Sequence, residues 1–458
     1  MNKLYIFILS VLAPLGVFAQ EKVCLSLEDC REMALMNDPY IRNSHLDILA
    51  AKAQKQEVLA EYFPSLRLQG FGFRALQPMI KINAVDILGD NETGQFVQDV
   101  FVKLSQKNGT EPYFTTLEYG YGANLTLTQP LYAGGRIVNG NRLARLGIEA
   151  SKLKREITLR TKKEEIGKAY WEIVALEQKR STLNSLDSLL RELEKDVESG
   201  LDAGVLTNTD LLQIKMKKNE LKTGSIQLDG GIKLLKMNLF NAIGQPYRLL
   251  RTSSDSDAPF LDDITLTDRP DSLLPPDNYY ISEEEIAAGV PERRLLELMV
   301  DSKKLEKKMA LGEVLPSIGL GASYGYSYTL NGRVNGMVFG IASIPITDWG
   351  KASRKLERLE YQVEKAQNES RYLRSQLLLQ AHQLWLDLNV AWEKMQVAQE
   401  NVALAEAAVR DLMARFHAGM TTLSEVLSAQ AKLSEASEGL VDSRIEYSKA
   451  LTEYTGRK

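Results

Sequence analysis

Two short stretches decide how this sequence can fold: residues 129–136 read QPLYAGGR, and residues 344–351 read IPITDWGK. Each places a proline four or five residues before a glycine, a combination that ends a strand and turns the chain. Alternating sequences precede both stretches, and long proline-free segments follow them. We therefore predict a strand before each turn and a long helix after it. The candidate strand-to-helix turn residues are Pro130, Gly134, Gly135, Pro345, Trp349 and Gly350.

The prolines are unevenly distributed along the 458 residues. All 14 lie outside residues 131–245 and 346–458, although these two segments make up half of the chain. Proline breaks the interior of a helix because it lacks an N–H group and clashes with the preceding turn. The two segments are therefore predicted to be long helices.

The same pattern occurs twice in the chain. Pro64 is matched by Pro316, 252 residues later, and Gly204 is matched by Gly419, 215 residues later. The distance between matched residues falls from 252 to 215 because residues 79–116 make one loop longer in the first copy. This insertion is most simply an exposed loop.

These landmarks predict two repeats of the order helix, strand, strand, long helix, helix. The first repeat is expected at 20–245 and the second at 290–458. Between them, residues 246–289 contain five prolines and several aspartates, which indicates an irregular segment.

Four strands are predicted, two in each repeat, at about 65–77, 117–132, 317–329 and 334–346. In the second and third strands, apolar and aromatic residues alternate with glycine, serine, threonine and asparagine; the outer two strands alternate less cleanly. The pattern fits either a soluble half-buried sheet or a membrane barrel with a polar lumen. The strands exceed the usual ~5–6 residues and match the ~9–11 that cross a bilayer when tilted, which favours the barrel.

Each proline-free segment is predicted to form a helical hairpin, at about 137–241 and 351–455. Heptads such as Leu176, Leu183, Leu190 and Val197 indicate left-handed coiled-coil packing. A glycine then interrupts each helix and can take the left-handed conformation of a tight turn.

Residues 1–19 have the features of a secretory signal peptide: Lys3, an apolar stretch, and a small residue at the expected cleavage position, Ala19. No later stretch approaches the ~20 apolar residues that a spanning helix needs. Export would allow Cys24 and Cys30 to pair, although two cysteines so close together can equally be unpaired.

The composition excludes several function classes. With 56 basic and 60 acidic residues the net charge is −4, so no basic surface for nucleic acid is predicted. His45, His382 and His417 lie in different segments without metal-ligand spacing, and no nucleophile motif or phosphate loop is present. We predict no catalytic residue, no metal site, no cofactor and no enzymatic activity.

The stretches at 129–136 and 344–351 resemble the proline, aromatic and glycine turns of the TolC-like outer-membrane efflux proteins. The Pro-Ser pairs at 64–65 and 316–317 resemble the entries from helix to strand in the same family. The resemblance covers nearly the whole chain after the leader. It implies a homotrimer in which four strands per chain close a 12-stranded transmembrane barrel, continued by an α-helical coiled-coil tunnel. Four strands cannot close a barrel alone, so their open edges would have to pair with other chains.

The resemblance also implies a location and partners. The chain would lie in the outer membrane, in contact with lipid, with its tunnel in the periplasm. It would conduct substrates passively from a periplasmic adaptor protein and an inner-membrane RND or ABC transporter, as the exit duct of a tripartite efflux or type I secretion system.

The family closes its periplasmic entrance with residues at the hairpin tips, and the resemblance assigns Asp210, Glu425, Phe416 and Thr421 to these positions. The sequence departs from the family pattern at Ser428, where a second acidic residue would stand. It departs again at Phe416 and Thr421, which cannot form the family's bonds to Asp210. Both acids also lie at the start of a returning helix, where the helix dipole favours them whatever their function.

The tips themselves resemble the family's adaptor contacts. The candidate residues are Ala203, Gly204, Val205, Ala418, Gly419 and Met420. Any tight turn also needs such a glycine.

One alternative of a different class fits the same pattern. An exported helical scaffold or adhesin-like protein without channel activity could fold its alternating segments into a soluble sandwich.

Overall fold

The computed structural model of the chain describes residues 23–77, 79–116, 119–249, 259–270, 273–328, 332–346 and 348–457. The helices are α1 (Leu27–Asn37), α2 (Pro39–Ala60), α3 (Ala84–Leu88), α4 (Glu92–Asn108), α5 (Arg136–Asp202), α6 (Asn208–Ala242), α7 (Glu283–Gly289), α8 (Pro291–Gly312), α9 (Lys351–His417) and α10 (Leu423–Thr455). The strands are β1 (Val23–Leu25), β2 (Ser65–Arg74), β3 (Ile80–Ile82), β4 (Phe114–Thr116), β5 (Tyr119–Ala133), β6 (Ile264–Leu266), β7 (Ser317–Ser327) and β8 (Arg333–Ser343). The protein is mainly helical, as the sequence predicted. The predicted signal peptide at 1–19 and the predicted strand residues 117, 118 and 329 lie outside the described residues.

The two halves of the chain have the same order of main elements. The first half runs α2, β2, β5, α5, α6, and the second runs α8, β7, β8, α9, α10. Helices α2 and α8 each have 22 residues, and α5 and α9 each have 67.

The chain divides into two compact units. The sheet unit consists of Ile48–Ala150 and Glu297–Ser370, and the helical unit consists of the described residues of Met1–Asp47, Ser151–Leu296 and Arg371–Lys458.

The sheet unit is built on a four-stranded antiparallel sheet in the order β2, β5, β7, β8. The register joins the two halves through β5 and β7, with Leu125 opposite Tyr324. We call one side of this sheet the apolar face; its members include Leu66, Leu68, Tyr121, Leu125, Leu127, Ile318, Leu320, Tyr324, Val334 and Val338. The other side is the small-residue face; on the two central strands it presents Gly122, Asn124, Thr126, Thr128, Gly319, Gly321, Ser323 and Ser327.

Two strands end earlier than the sequence suggested. Strand β8 ends at Ser343 rather than at 346, before Pro345, which has no N–H group to donate to a ladder. Strand β2 ends at Arg74 rather than at 77, opposite Tyr119 at the beginning of β5.

Residues 79–116, which the sequence suggested were a simple exposed loop, contain regular structure. Strands β3 and β4 pair, and helices α3 and α4 lie between them. The side chain of Asn91 accepts a hydrogen bond from the N–H of Gly94 at 2.9 Å, which caps the start of α4. Gly109, with φ of 64°, ends the same helix in the left-handed conformation.

The inter-repeat segment 246–289 is likewise less irregular than predicted. Within its described residues, β6 pairs in parallel with β1, and α7 begins at a serine cap, Ser282. Ile264 and Leu266 of β6 are buried with Tyr170 and Ile173 of α5 in the main apolar core of the helical unit.

Cys24 and Cys30 are both free thiols in the structure. Cys24 is exposed, with its Sγ atom 3.4 Å from the hydroxyl of Thr265, whereas Cys30 is buried in the core. Burial raises the pKa of the Cys30 thiol to about 12, so this side chain is an unreactive part of the core. Among the described residues, no helix is both long and apolar enough to cross a membrane.

Candidate functional site: the two hairpin tips

The tip of the first hairpin is a tight turn between α5 and α6. Gly204 has φ of 72°, a conformation that favours glycine. The N–H groups of Val205 and Leu206 both donate to the carbonyl of Gly200, at 2.9 and 3.2 Å. These bonds satisfy a carbonyl at the end of α5 that would otherwise lack a partner.

The tip of the second hairpin has the same backbone geometry. Gly419 has φ of 71°. The N–H of Gly419 donates to the carbonyl of Phe416 at 2.9 Å, and the N–H of Met420 donates to that of Arg415 at 2.8 Å. Ala203 and Ala418 are exposed, as are Val205 and Met420, whose exposed fractions are 77% and 72%.

The two acidic residues predicted for the entrance form capping boxes at the starts of the returning helices. The carboxylate of Asp210 accepts from the N–H of Thr207 at 2.9 Å and from its hydroxyl at 2.7 Å. The carboxylate of Glu425 accepts from the N–H of Thr422 at 3.2 Å and from the hydroxyl of Thr421. Each acid therefore has a structural role in starting a helix, which the sequence motif Thr-x-x-Asp/Glu could have predicted.

The hydrogen bonds around Glu425 affect its charge. The Thr421 hydroxyl, followed by the Thr422 N–H, holds the pKa of the Glu425 carboxyl below its ordinary value. Because the Glu425 side chain is exposed, its negative charge is presented to solvent at the tip. Ser428, one turn later, is also exposed and adds no charge.

Phe416 lies in a different environment from the two acids. It packs, half-buried, against an apolar cluster that joins the ends of both hairpins; we call this the tip cluster. Its fully buried members are Leu190, Leu193, Val197, Ile214, Leu423 and Val426. The heptad pattern predicted the burial of Leu190 and Val197.

A contact between a histidine and a carboxylate next to the tip cluster was not predicted. His417 Nε2 lies 3.3 Å from Asp196 Oδ2, which links the end of α9 to α5; the contact is an ion pair when the imidazole is protonated. Both side chains are about half exposed. The two residues are 221 positions apart, so no local pattern in the sequence indicates that they meet.

The predicted strand-to-helix turns have distinct backbone geometry. Gly134 and Gly135 have φ of 61° and 76°, and a side chain at Gly134 would overlap the backbone of Gly312. Pro130 lies in β5 next to a β-bulge that shifts the register before Tyr132.

The second turn differs from the first. Trp349 has φ of 55°, is 97% exposed and precedes Gly350, with φ of 82°. The carboxylate of Asp348 accepts from the N–H of Gly350 at 3.1 Å and from that of Ala352 at 2.6 Å, which starts α9. Pro345 follows β8 outside regular structure, and Thr347 of this turn lies outside the described residues.

In the part of the chain that the structure describes, no group of His, Cys, Asp or Glu side chains is arranged to hold a metal ion.

The fold of the chain is shared by several solved outer-membrane proteins. The chain has the fold of VceC from Vibrio cholerae, with a TM-score of 0.70 over 94% of this chain and 95% of VceC, at 15% identity. It also matches the CmeC outer membrane channel of Campylobacter jejuni, with a TM-score of 0.63 over 99% of this chain and 93% of CmeC, at 14% identity. The open state of the Neisseria gonorrhoeae MtrE channel matches with a TM-score of 0.66 over 94% and 88% of the two chains, at 14% identity.

A family match over part of the chain agrees with this fold. Residues 305–455, which cover most of the second half of the chain, match the outer membrane efflux protein family. No match is found among curated protein sequences. The predicted resemblance to the TolC-like outer-membrane efflux proteins is thereby confirmed. The family and the matched structures are outer-membrane channels, which agrees with the location that the resemblance implies. These relatives are channels and not enzymes.

Proposed function

We propose that this chain is the outer-membrane exit duct of a tripartite efflux or type I secretion system and works as a homotrimer. One observation carries the proposal: in a chain with the fold of outer-membrane channels, the four-stranded sheet has an exposed apolar face and two open edges. Leu68 and Val338 on that face are 76% and 83% exposed.

The open edges support assembly with further copies. β2 and β8 are the terminal strands of the sheet among the described residues. A strand cannot leave its N–H and C=O groups unpaired in lipid, so strands span a membrane only as a closed barrel. Three copies that pair β8 of one chain with β2 of the next give twelve strands, and outer-membrane lipid then covers the apolar face.

We assign the periplasmic entrance to the hairpin tips. Three-fold symmetry would repeat the exposed carboxylate of Glu425 around the axis, where like charges focus a negative potential that attracts cations. Asp210 would add a second carboxylate in each chain. Because Ser428 is uncharged, the negative potential extends over one level of Glu425 rather than two.

Contacts other than a bond to Asp210 would hold the entrance closed. Phe416 belongs to the tip cluster, and the hydroxyl of Thr421 is bonded to Glu425. We infer that opening separates the two hairpin ends, which exposes part of the tip cluster and breaks the ion pair between His417 and Asp196.

We assign docking of the periplasmic adaptor protein to the exposed tips at Ala203, Gly204 and Val205 and at Ala418, Gly419 and Met420. The exposed apolar side chains of Val205 and Met420 suit contact with another protein. An inner-membrane RND or ABC transporter would supply the energy, because a passive duct has no energy source of its own.

Fractionation and bilayer recording test the exit-duct function. We expect the full-length protein in the outer-membrane fraction as a detergent-stable trimer that forms channels in planar bilayers. Recovery from the soluble periplasm without a trimer would contradict the proposal and support the scaffold alternative.

Cation block tests the entrance assignment. Glu425→Gln keeps the size of the side chain and removes its charge, so we expect weaker block by a divalent cation applied from the tip side. Ser428→Ala is the matched control and should leave block unchanged. Unchanged block in Glu425→Gln would contradict the role of its charge.

Crosslinking to the co-expressed adaptor tests docking. Val205→Asp and Met420→Asp leave both tip glycines in place and should abolish crosslinking while trimers persist. Val205→Leu and Met420→Leu keep an apolar surface and should retain it. Persistent crosslinking of the aspartate variants would refute this docking site.

A further inference from the structure

The outer strands place large apolar side chains on the small-residue face of the sheet, and two phenylalanines among them lie against glycines. Phe71 of β2 lies opposite Gly122 of β5, and Phe339 of β8 lies opposite Gly321 of β7. Directly opposed residues in an antiparallel pair project on the same side. Both rings are therefore on the small-residue face, although each belongs to an outer strand of the sheet.

Each ring lies against its glycine. A β-carbon at Gly122 would be 2.8 Å from Cε1 of Phe71, so the ring occupies the space that a side chain would need. A side chain at Gly321 would likewise overlap the ring of Phe339. The same arrangement thus occurs independently on the two outer strand pairs of the sheet.

The surroundings of the rings are small or polar on the central strands and apolar on the outer strands. Asn124 and Thr126 follow Gly122 on the same face of β5, and Ser323 follows Gly321 on that of β7. On the outer strands, the same face also carries Phe73 of β2 and Met337 and Ile341 of β8. Phe71 is 48% exposed and Phe339 is partly exposed, so each ring has one side against glycine and part of its surface open.

We propose that Phe71 and Phe339 form an aromatic contact site for apolar or aromatic cargo inside the duct. The inference rests on the proposed function, because the apolar face can contact lipid only if the small-residue face lines the lumen. A barrel lumen is ordinarily polar. In a trimer the two rings are repeated three times, which places six phenyl rings along a lumen whose central strands present small and polar residues.

The contact suits weak, repeated binding rather than retention. A single aromatic contact strengthens binding about twofold to tenfold, enough to favour flat apolar cargo without trapping it. Glycine beneath each ring keeps the phenyl group close to the wall, so the lumen stays open. Small hydrated ions gain nothing from such a surface.

Block of single channels by an aromatic cation tests this site in the full-length trimer. Tetraphenylphosphonium carries four phenyl rings, whereas Mg²⁺ is a small cation that keeps bound water around it. In the double variant Phe71→Leu/Phe339→Leu we expect tetraphenylphosphonium block to weaken about threefold to tenfold, with Mg²⁺ block unchanged. The matched control Leu68→Ala/Val338→Ala alters the apolar face of the same two strands and should leave both blocks unchanged.

The outcomes separate this site from the proposed function. Unchanged tetraphenylphosphonium block in the leucine variant, or an equal loss in the control variant, would overturn the contact site while the duct function stands. A wild-type protein that forms no channel would overturn the duct function and this site together. If the leucine variant does not assemble, Phe71→Tyr/Phe339→Tyr keeps the rings and should retain the block; its loss would overturn the site.

Discussion

The tip of the first hairpin and the tip of the second hairpin turn the chain with the same backbone geometry. Gly204 and Gly419 have nearly the same φ, and an acid three residues after a threonine starts each returning helix. The second residue after the glycine differs. Leu206 packs against Gly200, whereas its counterpart Thr421 is bonded to the carboxylate of Glu425.

This difference separates what any tight helical turn requires from what each tip does. Both turns need the glycine, because each turn contains a residue in the left-handed conformation. Both need the cap, because the first N–H groups of each returning helix have no partner within the helix. The side chains after the glycine are free to differ: the first tip is held by an apolar contact, and the second presents a hydrogen-bonded, exposed carboxylate. The second tip is therefore the better candidate for the charged entrance.

The largest effect is expected from the tip cluster, where the hairpins are unequal. Ile214 is fully buried, while the corresponding position in the second hairpin is Ala429. Ile214→Ala should lower the free energy of local opening at the first tip by about 2–5 kcal/mol, because it leaves a cavity. Hydrogen exchange of the α6 amides measures this. The exposed Leu212 on the same helix provides the control, Leu212→Ala, which should change little; equal losses would show that Ile214 does not support the tip.

The glycines should affect both tips equally. Gly204→Ala and Gly419→Ala should each lower the free energy of local opening by about 1–2 kcal/mol, because the β-carbon is strained at positive φ. Asparagine tolerates this conformation, so Gly204→Asn and Gly419→Asn should lose less. Hydrogen exchange at the two tips gives both values in one experiment. A loss at one tip only would show that the turns are not equivalent.

The two threonine caps should differ in how much they stabilise the helices that follow them. The hydroxyl of Thr422 accepts from the N–H of Glu425 at 3.3 Å, whereas the hydroxyl of Thr207 donates to a carboxylate. Thr422→Ala should lower the free energy of opening of α10 by about 1 kcal/mol, and Thr207→Ala should lower that of α6 by less. The serine variants keep the hydroxyl and serve as controls. A larger loss for Thr207→Ala would reverse this ranking.

The contact between His417 and Asp196 should contribute less to the stability of the tips than the caps do. Because His417 and Asp196 are both about half exposed, a double-mutant cycle with alanine at each position should give a coupling of about 0.2–1 kcal/mol. High salt should reduce the coupling, since exposed charges are screened. A coupling that salt does not change would indicate a contact other than an ion pair.

The smallest effect is expected from the titration of Glu425. Hydrogen bonds from Thr421 and Thr422 lower the pKa of this carboxyl from its ordinary 4.5. A lowered pKa in the folded state means that these bonds stabilise the protein above pH 4.5 and that this contribution is lost as the pH falls through the lowered value. Hydrogen exchange at the second tip, corrected for the intrinsic rate, should show more opening at low pH. Thr421→Val should make this pH dependence weaker, and an unchanged dependence would contradict the assignment.

Much of the fold was predictable because its signals are local. The absence of proline from two segments indicated the long helices, and period-two alternation indicated β5 and β7. The outer strands were harder to interpret, because they place large apolar side chains on the face that is small and polar on the central strands. These residues are Phe71, Phe73, Met337, Phe339 and Ile341. Regular structure in 79–116 was missed because α3 has only 5 residues and because the caps of the 17-residue helix α4, Asn91 and Gly109, were not recognised.

At the tips, sequence indicated the turns but not the contacts between them. The capping residues follow from spacing within four positions and could have been predicted. The pairing of His417 with Asp196 could not, because it depends on how two distant hairpins pack. The positions of Asp210 and Glu425 were predicted only through the family resemblance, and their roles at an entrance stay predictions.

The pairing of β1 with β6 has a consequence for the order in which the chain folds. Cys24 and Thr265 are neighbours in this ladder although they are 241 positions apart. A chain that emerges from its amino end presents β1 long before β6, whereas the α5–α6 hairpin can form from contacts within a single stretch. Local contacts form quickly and distant ones slowly. The first hairpin is therefore expected to fold early, and β1 must wait unpaired until more than half of the protein has appeared.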